Sequence, residues 1–253
     1  MTLENYLNST AAKTLLERLD HFSKIFLEKP YLNNPNGEGP DSAIDTAPLF
    51  RFDGFDCVTY VNTVIALAHA TSENTFIQTL LKINYYDSNP RYENRFHFME
   101  LDWNPQNTKN GFIRDITVSF SRQVVYAIGD IDKPNWFLHK KMPKFAKKFS
   151  IQPARIGYLP ISLLLEDCSI FDAFPPISVI EIVRPNWPLR EKIGTDIHIS
   201  HVGFALNDPQ KKGVILRHAS SEQKKIVEIP LQTYLQACKK NSTIQGIAVF
   251  TLL

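Results

Sequence analysis

The chain has 253 residues, of which 43% are apolar and 21% are charged, and its formal net charge is +2 with a pI of about 8.3. This composition predicts a globular protein with a sizeable core, and the mild charge argues against nucleic acid or an anionic membrane as the main partner. No apolar run approaches the roughly 20 residues that span a bilayer, so no transmembrane segment is predicted.

The first thirty residues are predicted to be helical. Leu15, Leu19, Phe22 and Phe26 recur at spacings of four, three and four, which places them on one helix face. Pro30 ends this pattern, because proline cannot donate the next helical hydrogen bond. We therefore expect N-terminal helices over about residues 1–30, packed on the rest of the chain.

Residues 30–53 are rich in Pro, Gly, Asn and Asp, and a loop of this length inside a compact domain is usually functional or disordered. It leads into a helix that starts near Asp56, whose carboxylate can accept the free amides of the first turn. The helix carries one apolar stripe, formed by Cys57, Tyr60, Val61, Val64, Ile65 and Ala68. A second short helix is predicted over Asn74–Lys82.

Two segments in the middle of the chain have no clear periodicity. Residues 89–103 combine Arg, aromatic and acidic side chains, which indicates irregular structure or short strands near a groove. Residues 135–148 contain five lysines, which indicates a solvated surface more than a contact with an anionic polymer.

The second half of the chain is predicted to be rich in β-strands. Its short β-branched segments are "RIGYLPI", "ISVIEIV", "HISHVGFAL", "GVILRHAS", "KKIVEIPL" and "GIAVFTLL". The segment "LQTYLQACKK" (residues 231–240) reads as a helix between two of them. Helices followed by mostly antiparallel strands favour an α+β fold, with residues 1–253 as a single domain.

Cys57 is the first residue that suggests chemistry. The three cysteines, Cys57, Cys168 and Cys238, lie far apart and indicate neither a disulfide framework nor a zinc knuckle. A free cysteine is most often a small core residue. At a helix start, however, unpaired amides and the macrodipole favour a thiolate, which becomes a nucleophile when a histidine can exchange its proton.

Seven histidines are present, and "HISH" invites a metal interpretation. The surroundings of His198 and His201 are strand-like, and residues three apart in a strand point to opposite faces. We therefore expect no metal site and no cofactor.

His201 and His218 form the strongest histidine pair. His201 opens the strand "HVGFAL", in which Gly203 allows close approach of another backbone. The turn signal "NDPQKKG" predicts a hairpin that places His218 beside His201. One histidine would act as base and the other would orient it. The alternative is two hydrogen-bonded histidines with only a structural role.

These motifs resemble the papain-fold cell-wall hydrolases of the NlpC type. "FDCVTYVNTVIALA", "HVGFAL" and "RHAS" occur in the order of that superfamily, which implies an α+β papain-like fold with Cys57 as nucleophile, His201 as base and His218 as the third polar member. Many relatives have Ser-Gly after the Asp-Cys pair, where this chain has Val58-Thr59. Many also carry Gly-Asp before the histidine strand, where "PPISVIEIV" stands here.

The longer motifs "FDCVT", "RFHFMELDW" and "SHVGFA" resemble the branch of N-acetylmuramoyl-L-alanine amidase-like enzymes. This resemblance implies a metal-independent cleavage of the bond between N-acetylmuramic acid and L-alanine of peptidoglycan fragments. For this substrate, Arg91 and Arg95 are candidate carboxylate contacts, Trp103 a candidate sugar-stacking face, and Asp196 a further candidate contact. Each has a purely structural alternative.

Three other functions stay open at this point. They are a peptidoglycan γ-D-glutamyl endopeptidase, a cysteine hydrolase or acyltransferase acting on a host or non-wall substrate, and a catalytically dead binding module. The N-terminus is too polar for a signal peptide. We expect a monomer that is periplasmic or secreted after removal of a signal, with a cytoplasmic role in fragment recycling as the alternative.

Overall fold

The structure is a computed structural model that describes residues 3–10, 12–208 and 213–253. Its α-helices are α1 (Leu3–Asn8), α2 (Leu15–Ile25), α3 (Cys57–His69), α4 (Glu73–Asn84), α5 (Asn104–Lys109), α6 (Thr117–Phe120), α7 (Lys133–His139), α8 (Pro143–Ala146), α9 (Ile161–Glu166), α10 (Arg190–Ile193) and α11 (Leu231–Cys238). Three 3₁₀ turns (Tyr86–Ser88, Tyr92–Asn94 and Cys168–Ala173) and a π-helix (Met99–Trp103) complete the helical elements of the described residues. The strands are β1 (Ile113–Asp115), β2 (Val125–Asp132), β3 (Ile151–Pro160), β4 (Ile177–Val183), β5 (Ile199–Asn207), β6 (Val214–Ser220), β7 (Lys225–Pro230) and β8 (Gly246–Leu252).

The strands form one antiparallel sheet in the order β2-β3-β8-β4-β5-β6-β7, with β1 paired to β8. The predicted mixed architecture with a mostly antiparallel sheet is confirmed. The six predicted strand segments correspond to β3 through β8, and α11 lies where a helix was expected between two of them. The predicted turn between β5 and β6 falls largely on residues 209–212, which lie outside the described residues.

The edge strand β2 was not predicted from the sequence. Burial alternates along the strand, since Ala127 and Ile131 are buried while Tyr126 and Ile128 are exposed. The exposed positions are also apolar, however, so the sequence lacks the alternation of apolar and polar residues that marks a strand.

The N-terminal region forms two helices where the sequence predicted a continuous helical pattern. Thr14 begins α2 with a capping box, in which its side chain accepts from the Glu17 amide and Glu17 accepts from the Thr14 amide. This cap starts a new helix and so separates α1 from α2. The predicted inner face is correct, since Leu19, Phe22 and Phe26 are fully buried.

Each face of the sheet is covered by a hydrophobic core. One core joins α2, α3 and α4 to β-strand residues such as Val179, Phe204 and Phe250. The other lies under α9 and α11 and includes Ile180, Leu216 and Val249. The central strands are therefore buried on both sides, which explains their nearly continuous apolar sequences.

Helix α3 is the central helix of the first core. Residues Tyr60 through Ala68 are all buried, so the helix contacts other parts of the protein around most of its circumference. This burial accounts for its largely apolar sequence. The Tyr60 hydroxyl donates to the Ser23 carbonyl over 2.7 Å, which ties α3 to α2. This packing fixes where the first turn of α3 meets the sheet. Among the described residues, no helix is both long and apolar enough to cross a membrane.

Candidate active site

Asp56 defines the start of α3. Its Oδ1 accepts from the Thr59 amide over 2.7 Å, and the Asp56 amide donates to the Thr59 hydroxyl over 3.0 Å. Cys57 is thus the first residue of the helix, as the sequence predicted. A cap made from both directions holds the backbone on either side of the thiol in one conformation.

The Cys57 thiol is protonated at rest. Burial, together with the neighbouring Asp56 carboxylate, raises the pKa of Cys57 to about 12 against the opposing effect of the amides of Val202, Val58 and Cys57 itself. The sequence led to the opposite expectation, because a helix start favours a thiolate. Desolvation prevails because the half-buried Cys57 side chain packs against the core on the α3 face of the sheet.

His201 on β5 and His218 on β6 contact each other directly. The His201 Nε2 and the His218 Nδ1 lie 2.7 Å apart. Gly203 permits this arrangement, because a Cβ at that position would lie 2.8 Å from the His218 Cβ. The Tyr234 ring packs against both imidazoles, with centroid distances of 6.5 Å to His201 and 5.4 Å to His218. The structure therefore brings the two predicted histidines together.

Both imidazoles are held in the neutral form. Burial lowers the pKa of His201 to about 3, and His218 contributes to that shift. Burial likewise lowers the pKa of His218 to about 4. When His201 donates from Nε2 to His218 Nδ1, its own Nδ1 is left free as a proton acceptor.

Cys57 and His201 line one cavity of about 170 Å³, called here the nucleophile cavity. Its wall is mostly apolar, and its members are Cys57, Val58, Phe96, His97, Phe98, Met99, Glu100, Ile197, Ile199, Ser200, His201 and Val202. The Val202 amide, next in the chain after His201, donates to the Cys57 thiol. The candidate nucleophile, the candidate base and a confined apolar space thus share one site.

A second cavity of about 340 Å³, called here the Arg95 cavity, adjoins the first through Val58, Phe96 and His97, which line both. It is more polar, and Asp45, Asp56 and Arg95 lie in its wall. The two cavities together offer room for a substrate that extends to one side of the thiol. Residues 89–103, predicted to lie near a groove, supply part of both walls.

Arg95 is already paired with carboxylates of the protein. It contacts Glu38, whose side chain is fully buried, and Asp45 over 3.0 Å. A substrate carboxylate at Arg95 would compete with these two partners, so the bidentate clamp suggested by the sequence is not free to form here. Arg95 nevertheless stays at the wall of the second cavity.

The other three candidate substrate contacts lie away from the nucleophile cavity. Trp103 is 1% exposed and donates from Nε1 to Asn62 Oδ1 over 2.9 Å, so it offers no face to a sugar. Asp196 accepts from Arg190 over 2.6 Å in a partly exposed ion pair. Arg91 lines a separate surface cavity of about 440 Å³. Trp103 was assigned to a binding surface because its local sequence does not reveal that Met99–Trp103 packs inward.

Tyr31 is a site residue that the sequence did not reveal. Burial raises its pKa to about 12, and the charges of Cys57 and Asp56 add to this shift, which indicates that the phenol lies within electrostatic reach of both side chains. It lies in the loop of residues 30–53 and its backbone pairs with Phe55. The unusual length of that loop was the only sequence signal pointing to it.

His198 of the "HISH" motif is directed away from His201. Its ring contacts Glu100, whereas the His201 ring contacts His218. Within the described residues, no three His, Cys, Asp or Glu side chains converge as a metal site would require.

Residues 21–244 match the sequence profile of the AmiA-like family, described as N-acetylmuramoyl-L-alanine amidase-like. Among curated proteins there is no significant match.

Solved structures resemble the chain over nearly its whole length. A DUF1460 protein from Legionella pneumophila str. Philadelphia 1 is 32% identical, with a TM-score of 0.92 over 99% of this chain and 93% of that one. An N-acetylmuramoyl-L-alanine amidase from Bacteroides uniformis is 27% identical, with a TM-score of 0.67 over 94% and 98%. A putative xylanase from Bacteroides fragilis, 21% identical with a TM-score of 0.64 over 91% and 99%, shares the fold.

Proposed function

Because the chain belongs to the N-acetylmuramoyl-L-alanine amidase-like family, we propose that it is a cysteine amidase of papain-like, NlpC-type design that cuts the amide between N-acetylmuramic acid and L-alanine in peptidoglycan fragments. The observation that carries this proposal is the 2.7 Å contact between His201 and His218 at a cavity that Cys57 also lines. A thiol at Cys57, a base at His201 and an orienting partner at His218 suit acyl transfer without a metal.

In the first half-reaction, Cys57 Sγ attacks the lactyl carbonyl carbon while its proton passes to His201 Nδ1. His201 then gives this proton to the L-alanine nitrogen as the C–N bond breaks, which leaves a thioester on Cys57 and frees the stem peptide. In the second, His201 takes a proton from water, the hydroxide attacks the thioester, and the thiol departs with the proton returned to it.

His218 serves this reaction by holding one tautomer of His201. When it accepts from His201 Nε2, Nδ1 of His201 is the proton-free nitrogen, and in this mechanism that nitrogen takes the thiol proton. The low pKa of the imidazoles and the high pKa of the thiol mean that charges separate only when the substrate is in place. General-base assistance during attack therefore replaces a resting thiolate–imidazolium pair.

The developing oxyanion needs donors that are in place before the reaction. We assign the Cys57 amide at the start of α3 and the Tyr31 hydroxyl to this role. The contribution of the Cys57 charge to the raised pKa of Tyr31 supports the assignment, because it indicates a phenol within electrostatic reach of the thiol.

Digestion of a defined N-acetylmuramoyl peptide, with products identified by mass, tests the proposal. We expect free stem peptide beginning with L-alanine and an unmodified amino sugar. Cys57→Ala should lower turnover by more than about 1,000-fold, since the nucleophile and base act as a unit. Cys168→Ala, which changes an exposed cysteine outside the site, should retain full activity.

Two results would contradict the proposal in different ways. A muramoyl dipeptide among the products would indicate a γ-D-glutamyl endopeptidase with the same nucleophile. Undiminished turnover by Cys57→Ala would exclude Cys57 as the nucleophile altogether.

A further inference from the structure

A bulge in β5 lies directly before His201. The pairing of β4 with β5 runs regularly up to Ile182 opposite His201, then shifts so that Val183 lies opposite Ile199, which leaves Ser200 as an extra residue. As a result, Ile199 and Val202, three residues apart, belong to the same core. In a regular strand Ile199 and His201 would share a face. The bulge instead lets Ile199 join the core on the α3 face while His201 lies opposite Ile182, which belongs to the core on the other face.

The chain just before this bulge is held by a buried carboxylate. Glu100 Oε1 accepts from the His198 amide over 2.6 Å and lies 3.1 Å from the His198 Nδ1. The two side chains are 1% and 2% exposed, respectively. The His198 carbonyl accepts from the Arg184 amide over 2.7 Å. Residue 198 is therefore fixed on both sides of its backbone, two positions before Ser200.

Glu100 lies in the π-helix Met99–Trp103, which is held in place by several hydrogen bonds. Asp102 in that helix accepts from Lys133 Nζ over 2.5 Å and from the Tyr86 hydroxyl over 2.8 Å. Its other oxygen accepts from the amides of His97 and Phe98, both over 3.1 Å. A π-helix is uncommon and frequently lies at a functional site. Glu100 also lines the nucleophile cavity, so this helix and the site are contiguous.

We propose that Glu100 is a positioning residue, which acts through the His198 backbone to hold the β5 bulge so that His201 keeps its contact with His218 while facing Cys57. This inference rests on the proposed function, because that function makes His201 the base. The Glu100 carboxylate acts through the backbone amide of residue 198. Removal of the carboxylate should therefore lower kcat more than removal of the His198 ring does.

The test compares three variants by two measurements. The first is the downfield NMR signal of the imidazole proton shared by His201 and His218, which needs no substrate. The second is the steady-state rate on the N-acetylmuramoyl peptide, with kcat and KM separated. Glu100→Ala should lose the signal through exchange and lower kcat by about 100-fold at nearly unchanged KM, the cost of a small misplacement of a reacting group.

Glu100→Gln and His198→Ala are the controls. Glutamine keeps an oxygen that accepts from the His198 amide, and His198→Ala keeps the amide itself, so both should retain the signal and most of kcat. If Glu100→Ala does not fold, these two variants carry the test, and loss of the signal in folded Glu100→Gln would overturn the proposal.

Folded Glu100→Ala that retains both the NMR signal and kcat would also overturn the positioning proposal. A fall in kcat with the NMR signal intact would overturn it too, because that result would indicate that Glu100 contacts the substrate. A wild-type protein that shows the signal but cuts no muropeptide would contradict the proposed function alone.

Discussion

Cys57 experiences opposing influences on its proton. Three backbone amides at the helix start and on β5 favour the thiolate, whereas burial and the Asp56 carboxylate favour the thiol. The second group prevails, so under the proposed function Cys57 loses its proton only during attack. Asp56 therefore has two effects: it caps α3 through Thr59, and it keeps the adjacent thiol protonated.

Replacing Asp56 by Asn separates these effects. Asparagine is as good an N-cap as aspartate, so α3 should be retained while the negative charge is lost. We expect the pKa of Cys57 to fall and its alkylation by iodoacetamide at pH 8 to become at least roughly threefold faster. The measurement is the rate of Cys57 modification by peptide mass mapping.

Asp53→Asn is the matched control, because Asp53 is exposed in the same loop and pairs with Arg51. Its variant should alkylate at the wild-type rate. An unchanged or slower rate in folded Asp56→Asn would show that the Asp56 charge does not govern the thiol.

Strand β4 carries an unusual buried acid in the layer behind the active site. Glu181 is fully buried, accepts from Asn104 over 2.9 Å with one oxygen, and has no partner for the other among the described residues. Burial raises its pKa to about 8, with Glu100 and Asp115 adding to the shift against the hydrogen bond from Asn104. Glu181 is therefore protonated at neutral pH, which avoids a second negative charge near Glu100.

This shift predicts a pH-dependent stability. Between the ordinary pKa of 4.5 and the folded pKa of about 8, native Glu181 holds a proton that the unfolded chain has lost. Stability from this group is thus complete below pH 4.5 and falls as pH rises, by about 1.4 kcal/mol per pH unit across that window.

Glu181→Gln should remove this slope, because glutamine resembles the protonated acid at every pH. The variant should gain stability relative to wild type between pH 5 and pH 8 in urea unfolding. Glu166→Gln, at an exposed position on α9, should follow the wild-type profile. Parallel profiles for wild type and Glu181→Gln would contradict a raised pKa.

At the scale of the whole molecule, the helical layer is joined to itself and to the sheet by buried arginines. Arg18 on α2 donates to the carbonyls of Ala68 over 2.7 Å and Leu67 over 2.8 Å, and also to that of Ala70, all at the end of α3. Arg217 on β6 contacts α2 through Asp20. The Arg18 contacts give the carbonyls at the end of α3 a charged donor.

Arg18→Met should lower the free energy of unfolding by about 3 kcal/mol, because several buried carbonyls lose a charged donor at once. Turnover of the folded variant should stay close to wild type, since the change lies at the far end of α3 from Cys57. Urea unfolding and steady-state rates check both points. Arg190→Met, which breaks a partly exposed ion pair, should cost no more than about 1 kcal/mol.

The sequence by itself determined the elements whose side chains repeat with a clear period. The start of α3 at Cys57, the strands β3 to β8 and the pairing of His201 with His218 all follow from spacing, capping and turn signals that act over a few residues. It also identified the family motifs, because their order is carried by the chain itself.

Features that depend on contacts between distant segments of the chain were decided only by the tertiary structure. The burial of Trp103, the pairing of Arg95 with Glu38, the raised pKa of Cys57 and the position of Tyr31 each arise from contacts between segments far apart in the chain. The bulge before His201 is likewise a relation between two strands. Desolvation and register are properties of the assembled core, and no local pattern of residues encodes them.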